Sequence, residues 1–440
     1  MGSPIVFDGL RIFLGDLTLT PRGIDRIDVG YARFLFENWS GDCFGLLPTP
    51  WGIRLYDRDK GLRLLDSVQA LWRENQPSGT DAAFQRFCFF LGHHIDNDAG
   101  VDRAGVDRMG HNTGGAQRRG LASLGLRSLK NNPLSWGQPA HRDAPKGSVY
   151  LNVGQLGWAA PVMTRWLRRR ADVRAIFMLH DVIPLQRPDL VSRSGRIAYE
   201  CMLNTVIRHA AGLITTTEVA SRAVCRTLRA QGLPPVPVQS LHLPVDPVFL
   251  EREPRSNTLS QTPYFVICGA IETRKNHALL LDVWRRMVQR VGPTAPRLMI
   301  IGSPAHGGDQ VLKQLHETAT LRDHVVVLSG MSSPSLRRVI ANATAVLMPS
   351  FAEGFGLPVA EALALGTPVI ASDLPALREV GRDLAVYLDP TDPVAWFEAI
   401  LDAAESDAAT EAWRARVAAY RPLTRTDYFS KVEAFLQSFN

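Results

Sequence analysis

Cysteine is scarce in this 440-residue chain. The five cysteines (Cys43, Cys88, Cys201, Cys225, Cys268) are odd in number and scattered, without a CxxC pair. That argues against a disulfide framework or a zinc knuckle and predicts a reducing compartment. Long apolar runs are missing as well: nowhere do about 18 apolar residues follow one another, so no helix is predicted to span a bilayer. Asp8, Arg11 and Asp16 interrupt the apolar stretch around Ile5–Leu14, which leaves no secretory core there. No repeat of about 20–50 residues is visible, which removes solenoids and propellers. Glycine (35) and proline (29) are too few and too aperiodic for a collagen or a low-complexity chain. Helix-turn-helix, finger and RNP-like motifs are absent, so nucleic acid is not an expected partner. These absences predict a soluble, cytoplasmic protein of two or three domains at about 150 residues each.

What is present is an ordinary globular composition, 45% hydrophobic and 21% charged, with a net charge of +6. The charge is uneven. Trp158-Ala-Ala-Pro-Val-Met163-Thr-Arg165-Trp166-Leu-Arg168-Arg169-Arg170 mixes two tryptophans and a methionine with four arginines. Such a mixture suits an interfacial segment resting on anionic lipid at the inner face of a membrane. It equally suits a helix whose apolar face enters the core and whose arginine end is solvated.

The chain divides at two irregular stretches. Residues 98–147 are dense in Gly, Asn, Arg and Ser, with eight basic residues against four acids, and read as an insertion in the N-terminal half. From Leu233 to Thr262 six prolines, Pro234 to Pro254, can sustain neither a helix nor a central strand. Beyond this break short apolar runs alternate with amphipathic ones. Strands are predicted at Tyr264–Cys268, Arg297–Ile301, Val325–Leu328, Ala345–Met348, Pro368–Ala371 and Ala385–Leu388. Helices are predicted between them, the first over His277–Val291. The alternation implies βαβ units around a parallel sheet. The N-terminal half repeats it less clearly, with a helix at Asp25–Glu37, strands near Ser148–Leu151, Ala175–Leu179 and Gly212–Thr216, and a helix at Arg196–Arg208. The predicted class is α/β, with two Rossmann-like domains. An N-terminal domain spans 1–240, a linker 241–262, a second domain 263–415, and a C-terminal helix crosses back within 416–440. Ligands of such folds sit at the strand C-termini.

Three segments carry chemistry. Glu353-Gly354-Phe355-Gly356-Leu357-Pro358-Val-Ala-Glu361 follows a predicted strand and opens a helix. Its glycines let the backbone approach a ligand with free N–H groups, and Pro358 suits the first helical turn. Two carboxylates eight residues apart suit two groups of hydroxyls on one ligand. A loop-to-helix cap with two surface glutamates explains each feature singly but not the combination. The second segment, Gly269-Ala270-Ile-Glu272-Thr-Arg274-Lys275-Asn276-His277, places two cations beside a helix N-terminus. That pair repels itself unless an anion binds, and a diphosphate matches it; the plainer reading is a solvated turn. The third, Leu179-His180-Asp181-Val-Ile-Pro184-Leu185, puts a histidine at a strand end, where a structural and a catalytic role are equally open.

Together these segments resemble the retaining family-four glycosyltransferases of the GT-B fold, closest in motifs to bacterial mannosyltransferases of O-antigen and exopolysaccharide synthesis. Glu353–Glu361 matches the family's E-x7-E signature. The likeness covers about 262–404 and is patchy before that, where Arg22-Gly23-Ile24 resembles the family's first glycine loop. The resemblance implies two Rossmann-like domains facing each other across a cleft. It implies that Arg274 and Lys275 hold the diphosphate of a nucleotide sugar, that Glu353 binds the transferred hexose beside the amides of Gly354, Phe355, Gly356 and Leu357, and that Glu361 binds the ribose. His180 would contact the hexose, and Gly23 would let the first loop approach the phosphates or the acceptor. Gly269 would border the donor, and Leu328 and Ser329 would border its base. Ala270 stands where many members carry an arginine, so the phosphate site leans more on Arg274 and Lys275.

The implied reaction moves a hexose, mannose from GDP-mannose first, to a saccharide or lipid-linked saccharide acceptor. The departing phosphate accepts the acceptor's proton, so no cofactor and no metal is expected. Asp96-Asn-Asp98 has the DxD spacing of metal-dependent transferases but lies away from any clear strand. Alternatives are UDP-glucose or a GDP- or dTDP-deoxysugar on the same scaffold, and a non-catalytic sugar-nucleotide-binding partner of another transferase.

Overall fold

The structure is a computed structural model of this chain. It describes residues 2–15, 21, 23–49, 52–74, 81–92, 137–155, 157–159, 161–252 and 255–439. Asp96, Asp98, Arg22 and the part of the expected insertion up to residue 136 lie outside the described residues. The rest forms two compact units. The first takes the described residues of Met1–Pro77, His94–Phe177 and Leu436–Asn440, and the second those of Ser78–His93 and Met178–Phe435.

In the first unit the strands β1 (Ile5–Asp8), β2 (Cys43–Thr49), β3 (Gly52–Tyr56), β4 (Gln138–Pro139), β5 (Val149–Asn152) and β6 (Arg174–Leu179, as far as Phe177) lie in the order β4-β3-β2-β1-β5-β6. β2, β1, β5 and β6 are parallel, whereas β3 and β4 run antiparallel to their neighbours. All four residues of β1 and of β5 are buried, as strands covered on both faces must be. The helix Gly23–Asn38 covers them with Tyr31, Leu35 and Phe36, and Phe36 meets Phe7 edge-on at 6.3 Å.

The lipid reading of Trp158–Arg170 fails here for its apolar members. Trp158, Met163 and Trp166 are all core residues. Trp158 packs edge-on against Phe177 at 4.8 Å and Trp166 against Tyr150 at 5.7 Å. The backbone makes one α-turn at Pro161–Thr164 and a 3-10 turn at Arg165–Arg169, which carry Met163 and Trp166 inward. Arg165, Arg168 and Arg169 are exposed, and Arg170 pairs with Asp172 at 2.7 Å. The alternative, an apolar face in the core with a solvated arginine end, is what the fold contains.

The second unit holds a parallel pair, β7 (Ala210–Thr215) and β8 (Val238–Ser240), and a six-stranded sheet. The sheet strands are β9 (Tyr264–Cys268), β10 (Arg297–Ile301), β11 (Val325–Leu328), β12 (Ala345–Met348), β13 (Val369–Ser372) and β14 (Val386–Leu388). Their order is β11-β10-β9-β12-β13-β14, all parallel. The sheet's order reverses at β9, the kind of position where α/β folds bind ligands. Phe265, Ile267, Leu298, Ile300 and Leu347 from the strands meet Leu280, Trp284, Trp396 and Ile400 from the helices in one core. Trp284 completes its burial by donating Nε1–H to the Pro296 carbonyl at 2.8 Å.

Two pieces of this unit come from unexpected parts of the chain. The helix Ala82–Phe90 packs Phe87 edge-on against Tyr264 at 5.3 Å, and Arg338 lies over Phe84 at 4.9 Å. Its N-cap Asp81 accepts from Ala83 and Phe84 N–H and also, at 2.9 Å, from Ser332 N–H. The proline-rich residues 241–252 run over the same unit, where Phe249 is fully buried and Arg252 donates to the Ala364 carbonyl at 2.9 Å.

Candidate functional site

β9 stops at Gly269, whose φ of +137° is open to glycine and hardly to any other residue. A Cβ built on Gly302 would lie 1.8 Å from the Gly269 carbonyl oxygen, so the two loops cross only because Gly302 has no side chain. The chain then makes a single 3-10 turn, Thr273–Lys275, and Asn276 at φ +55° starts the helix His277–Val291. This tight turn buries Lys275 and brings Arg274 back toward the loop after β12.

There the cations meet Glu353. Lys275 Nζ lies 2.6 Å from Glu353 Oε1, and an Arg274 terminal nitrogen lies 2.9 Å from Glu353 Oε2. Arg274 also donates to Glu272 at 2.7 and 3.1 Å and to the Ala352 carbonyl at 2.9 Å. The anion that the Arg-Lys pair requires is therefore supplied by this chain's own carboxylates. Burial alone would raise the Glu353 carboxyl, but Arg274 and Lys275 overcome it and hold the group down at about 2. Burial lowers Lys275, as does neighbouring Arg274, while Glu353 opposes the fall. Arg274 is opposed by burial yet ends above its ordinary value because Glu353, Glu272 and Asp181 surround it.

The glutamate loop is held by its glycines and by two hydroxyls. A Cβ on Gly354 would sit 2.4 Å from the His180 carbonyl oxygen and 2.9 Å from Asp181 Cβ, so this glycine lets the loop close on the strand end. The Gly354 carbonyl accepts from Thr217 Oγ1 at 3.0 Å and from Thr216 Oγ1 at 3.2 Å, and Thr216 also reaches the His180 carbonyl at 3.2 Å. Gly356, at φ +91°, opens the helix Leu357–Leu365 with Pro358 in its first turn. Phe355 is buried edge-on to His242 at 5.7 Å. His242 Nε2 pairs with Glu379 at 2.9 Å, and Glu379 also accepts from the Glu218 and Val219 N–H groups that start the helix Glu218–Ala230.

Thus His180, Gly269, Arg274, Lys275, Glu353, Gly354, Phe355, Gly356 and Leu357 form one contiguous cluster in the second unit. Leu328 is buried at the end of β11, and Ser329 donates to the Gly302 carbonyl at 2.6 Å, next to the Gly269 crossing. Glu361 is one turn inside its helix and 3% exposed. Gly23 begins the helix Gly23–Asn38 of the first unit. Glu272 and Asp181 lie inside the quoted motifs but, like Thr216 and Thr217, received no role from the sequence. Three consecutive threonines at the end of a strand were the available signal for two of them. Among the described residues no group of three His, Cys, Asp or Glu could hold a metal ion, and no helix is long and apolar enough to cross a membrane.

Known families offer a match for the stretch that carries most of this cluster. The model of glycosyl transferases group 1 matches residues 250–419. That stretch is a group 1 glycosyl transferase domain. The Escherichia coli serotype-specific mannosyltransferase WbdA is 27% identical over 241 residues, 51% of this chain and 29% of WbdA. The Escherichia coli O-antigen chain mannosyltransferase B is 26% identical over 275 residues, 61% of this chain and 69% of that protein. This chain therefore spans less than a third of the length of WbdA. Among solved structures, Anabaena HepE in complex with UDP and glucose superposes with a TM-score of 0.61 at 15% identity, over 99% of this chain and all of HepE. Sucrose-phosphate synthase from Thermosynechococcus elongatus gives 0.59 at 15% identity, over 99% of both chains. The fold is GT-B, as the group 1 glycosyl transferase motifs imply.

Proposed function

We propose that the chain is a retaining glycosyltransferase that moves a hexose, mannose from GDP-mannose first, to a saccharide or lipid-linked saccharide acceptor in bacterial surface-polysaccharide synthesis. The observation that carries the reading is the convergence of Arg274 and Lys275, at the end of the switch-point strand, on the first glutamate of the E-x7-E loop. Breaking an anomeric C–O bond leaves an oxocarbenium-like sugar and new negative charge on the departing diphosphate. Buried Lys275, partly buried Arg274 and the N-terminal end of the helix Leu357–Leu365 meet that charge once Glu353 gives up the cations. Glu353, once released from the cations, is in place to accept from sugar hydroxyls. His180 borders the same loop through its carbonyl, and Glu361 on the helix serves the ribose. The departing phosphate takes the acceptor's proton, so the chain needs no carboxylate nucleophile and no metal. The relatives named as mannosyltransferases support mannose. UDP-glucose, the ligand of another HepE structure, is the second donor in line.

Isothermal titration with GDP, UDP, ADP and dTDP, followed by hydrolysis of the matching nucleotide sugar with and without EDTA, tests the reading. One base should bind, and its sugar nucleotide should turn over in excess EDTA. If no nucleotide binds, the donor site is refuted. If EDTA abolishes turnover and Mg²⁺ or Mn²⁺ restores it, the metal-free mechanism is wrong.

A further inference from the structure

The charges at this site do not balance. Arg274 and Lys275 are two cations, and Glu272, Glu353 and Asp181 are three carboxylates around them. Glu353 bridges both cations, and Glu272 takes the remaining edge of Arg274. Asp181 is different. One of its carboxyl oxygens accepts from the Ile183 N–H at 3.0 Å, and the other lies 3.1 Å from where a Gly354 Cβ would stand. Among the described residues no cation sits within ion-pair distance of it. The groups that face it are Arg274, Glu353, Glu272 and Tyr199, whose hydroxyl donates to the Asp181 carbonyl, with His180 next in the chain. A nucleotide sugar would add a doubly charged diphosphate to a pocket already one negative charge in excess. Either a carboxylate leaves or one becomes neutral.

We propose that Asp181 takes up a proton from solvent when the diphosphate of a nucleotide sugar docks on Arg274 and Lys275, and that it is a positioning residue for donor binding. The inference rests on the donor-site reading above. Glu353 is not the acceptor of that proton, because once released from the cations it accepts from the sugar hydroxyls, a role its ionised carboxylate fills. Burial raises Asp181; Arg274 and the Ile183 N–H pull it down, and Glu353 and Glu272 push it up again, with a net rise. Burial also raises Tyr199, which stays a neutral phenol. Protonated on its free oxygen, Asp181 keeps its bond to Ile183 and stops repelling the donor. Its carboxyl packs directly against Gly354, so the same residue also supports the loop that carries Glu353.

The test is calorimetric titration with GDP-mannose and with UDP-glucose at pH 6.5, in two buffers of different ionisation enthalpy. The diphosphate of these donors is a diester with no proton to exchange near that pH, so any proton taken up goes to the protein. Wild type should take up about half a proton or more, and affinity should fall several-fold, at most about tenfold, per unit rise in pH. Asp181→Asn keeps the acceptor for Ile183, so it should lose both the uptake and the slope and bind at least as tightly as wild type at pH 8. No uptake by wild type overturns the proposal, as does undiminished uptake by a folded Asp181→Asn. Should Asp181→Asn fail to fold, Glu272→Gln decides: it must keep the uptake, and its loss there would move the proton to Glu272 and overturn the assignment. If neither sugar nucleotide binds at any pH, the donor-site reading itself fails, which is a different result from binding without proton uptake.

Discussion

Lowering the pH from 7 to 5 should destabilise the second unit through one histidine. His277 opens the helix His277–Val291 and is 1% exposed. Burial and the charge of Lys275 lower it from 6.5 to about 4, the nearby Glu272 backbone offsetting only part of this. Between those values the unfolded chain binds a proton that the folded protein refuses. The stabilisation is therefore complete above about pH 6.5 and is lost as pH falls toward 4. At about 1.4 kcal/mol per pH unit, roughly 2 kcal/mol is gone by pH 5 and about 3 kcal/mol by pH 4. For a unit of this size 2 kcal/mol corresponds to about 3–4 °C in the unfolding midpoint. Replacing His277 by Leu keeps the volume and removes the titrating group, while every other carboxyl and histidine titrates in both proteins. The difference in midpoint between His277→Leu and wild type, followed by circular dichroism from pH 7 to 5, should thus shift in favour of the variant by that amount. Parallel profiles would refute the assignment of a buried neutral imidazole beside Lys275.

Three further outcomes follow from the geometry. Lys275→Ala should weaken both donor binding and turnover, whereas Glu353→Ala should cut turnover strongly while a nucleoside diphosphate still binds, since its carboxylate is assigned to the sugar; equal loss of nucleotide affinity in both would contradict that division. Gly354→Ala drives a Cβ to 2.4 Å from the His180 carbonyl oxygen, which should cost about 1–3 kcal/mol of stability and, by moving the Glu353 loop, about 100-fold in turnover; turnover within twofold of wild type would show the loop is not positioned by this contact. Trp166→Ala should cost about 3–5 kcal/mol in urea unfolding, as expected of a core tryptophan, and a loss below about 1 kcal/mol would return that residue to the surface.

The parallel sheet of the second unit was legible because its strands are short, apolar and β-branched, and because each is followed by helical periodicity. Tyr264–Cys268, Arg297–Ile301 and His277–Val291 appear with the expected ends. The cluster around Glu353 was legible by type and spacing, but its ion pairs were not. Nothing local to Arg274-Lys275 says that Glu353, 78 residues away, neutralises it in the free protein. The helix Ala82–Phe90 shows the same limit: its partners Tyr264, Ser332 and Arg338 are far along the chain, so no periodicity could assign it to this unit. Trp158 and Trp166 failed for another reason. Aromatic residues beside arginines describe a lipid-facing segment and a core-facing one equally well, and only the tertiary packing of the rings on Phe177 and Tyr150 separates them.

The most direct measurement of the central claim is proton NMR of wild type and Lys275→Ala with GDP-mannose and, separately, UDP-glucose. Wild type should release the nucleoside diphosphate from one of the two, and the first sugar product should keep the donor's anomeric configuration. Lys275→Ala should release far less. Release of a sugar with inverted configuration, or equal release by both proteins, would contradict an Arg274–Lys275 donor site working with retention.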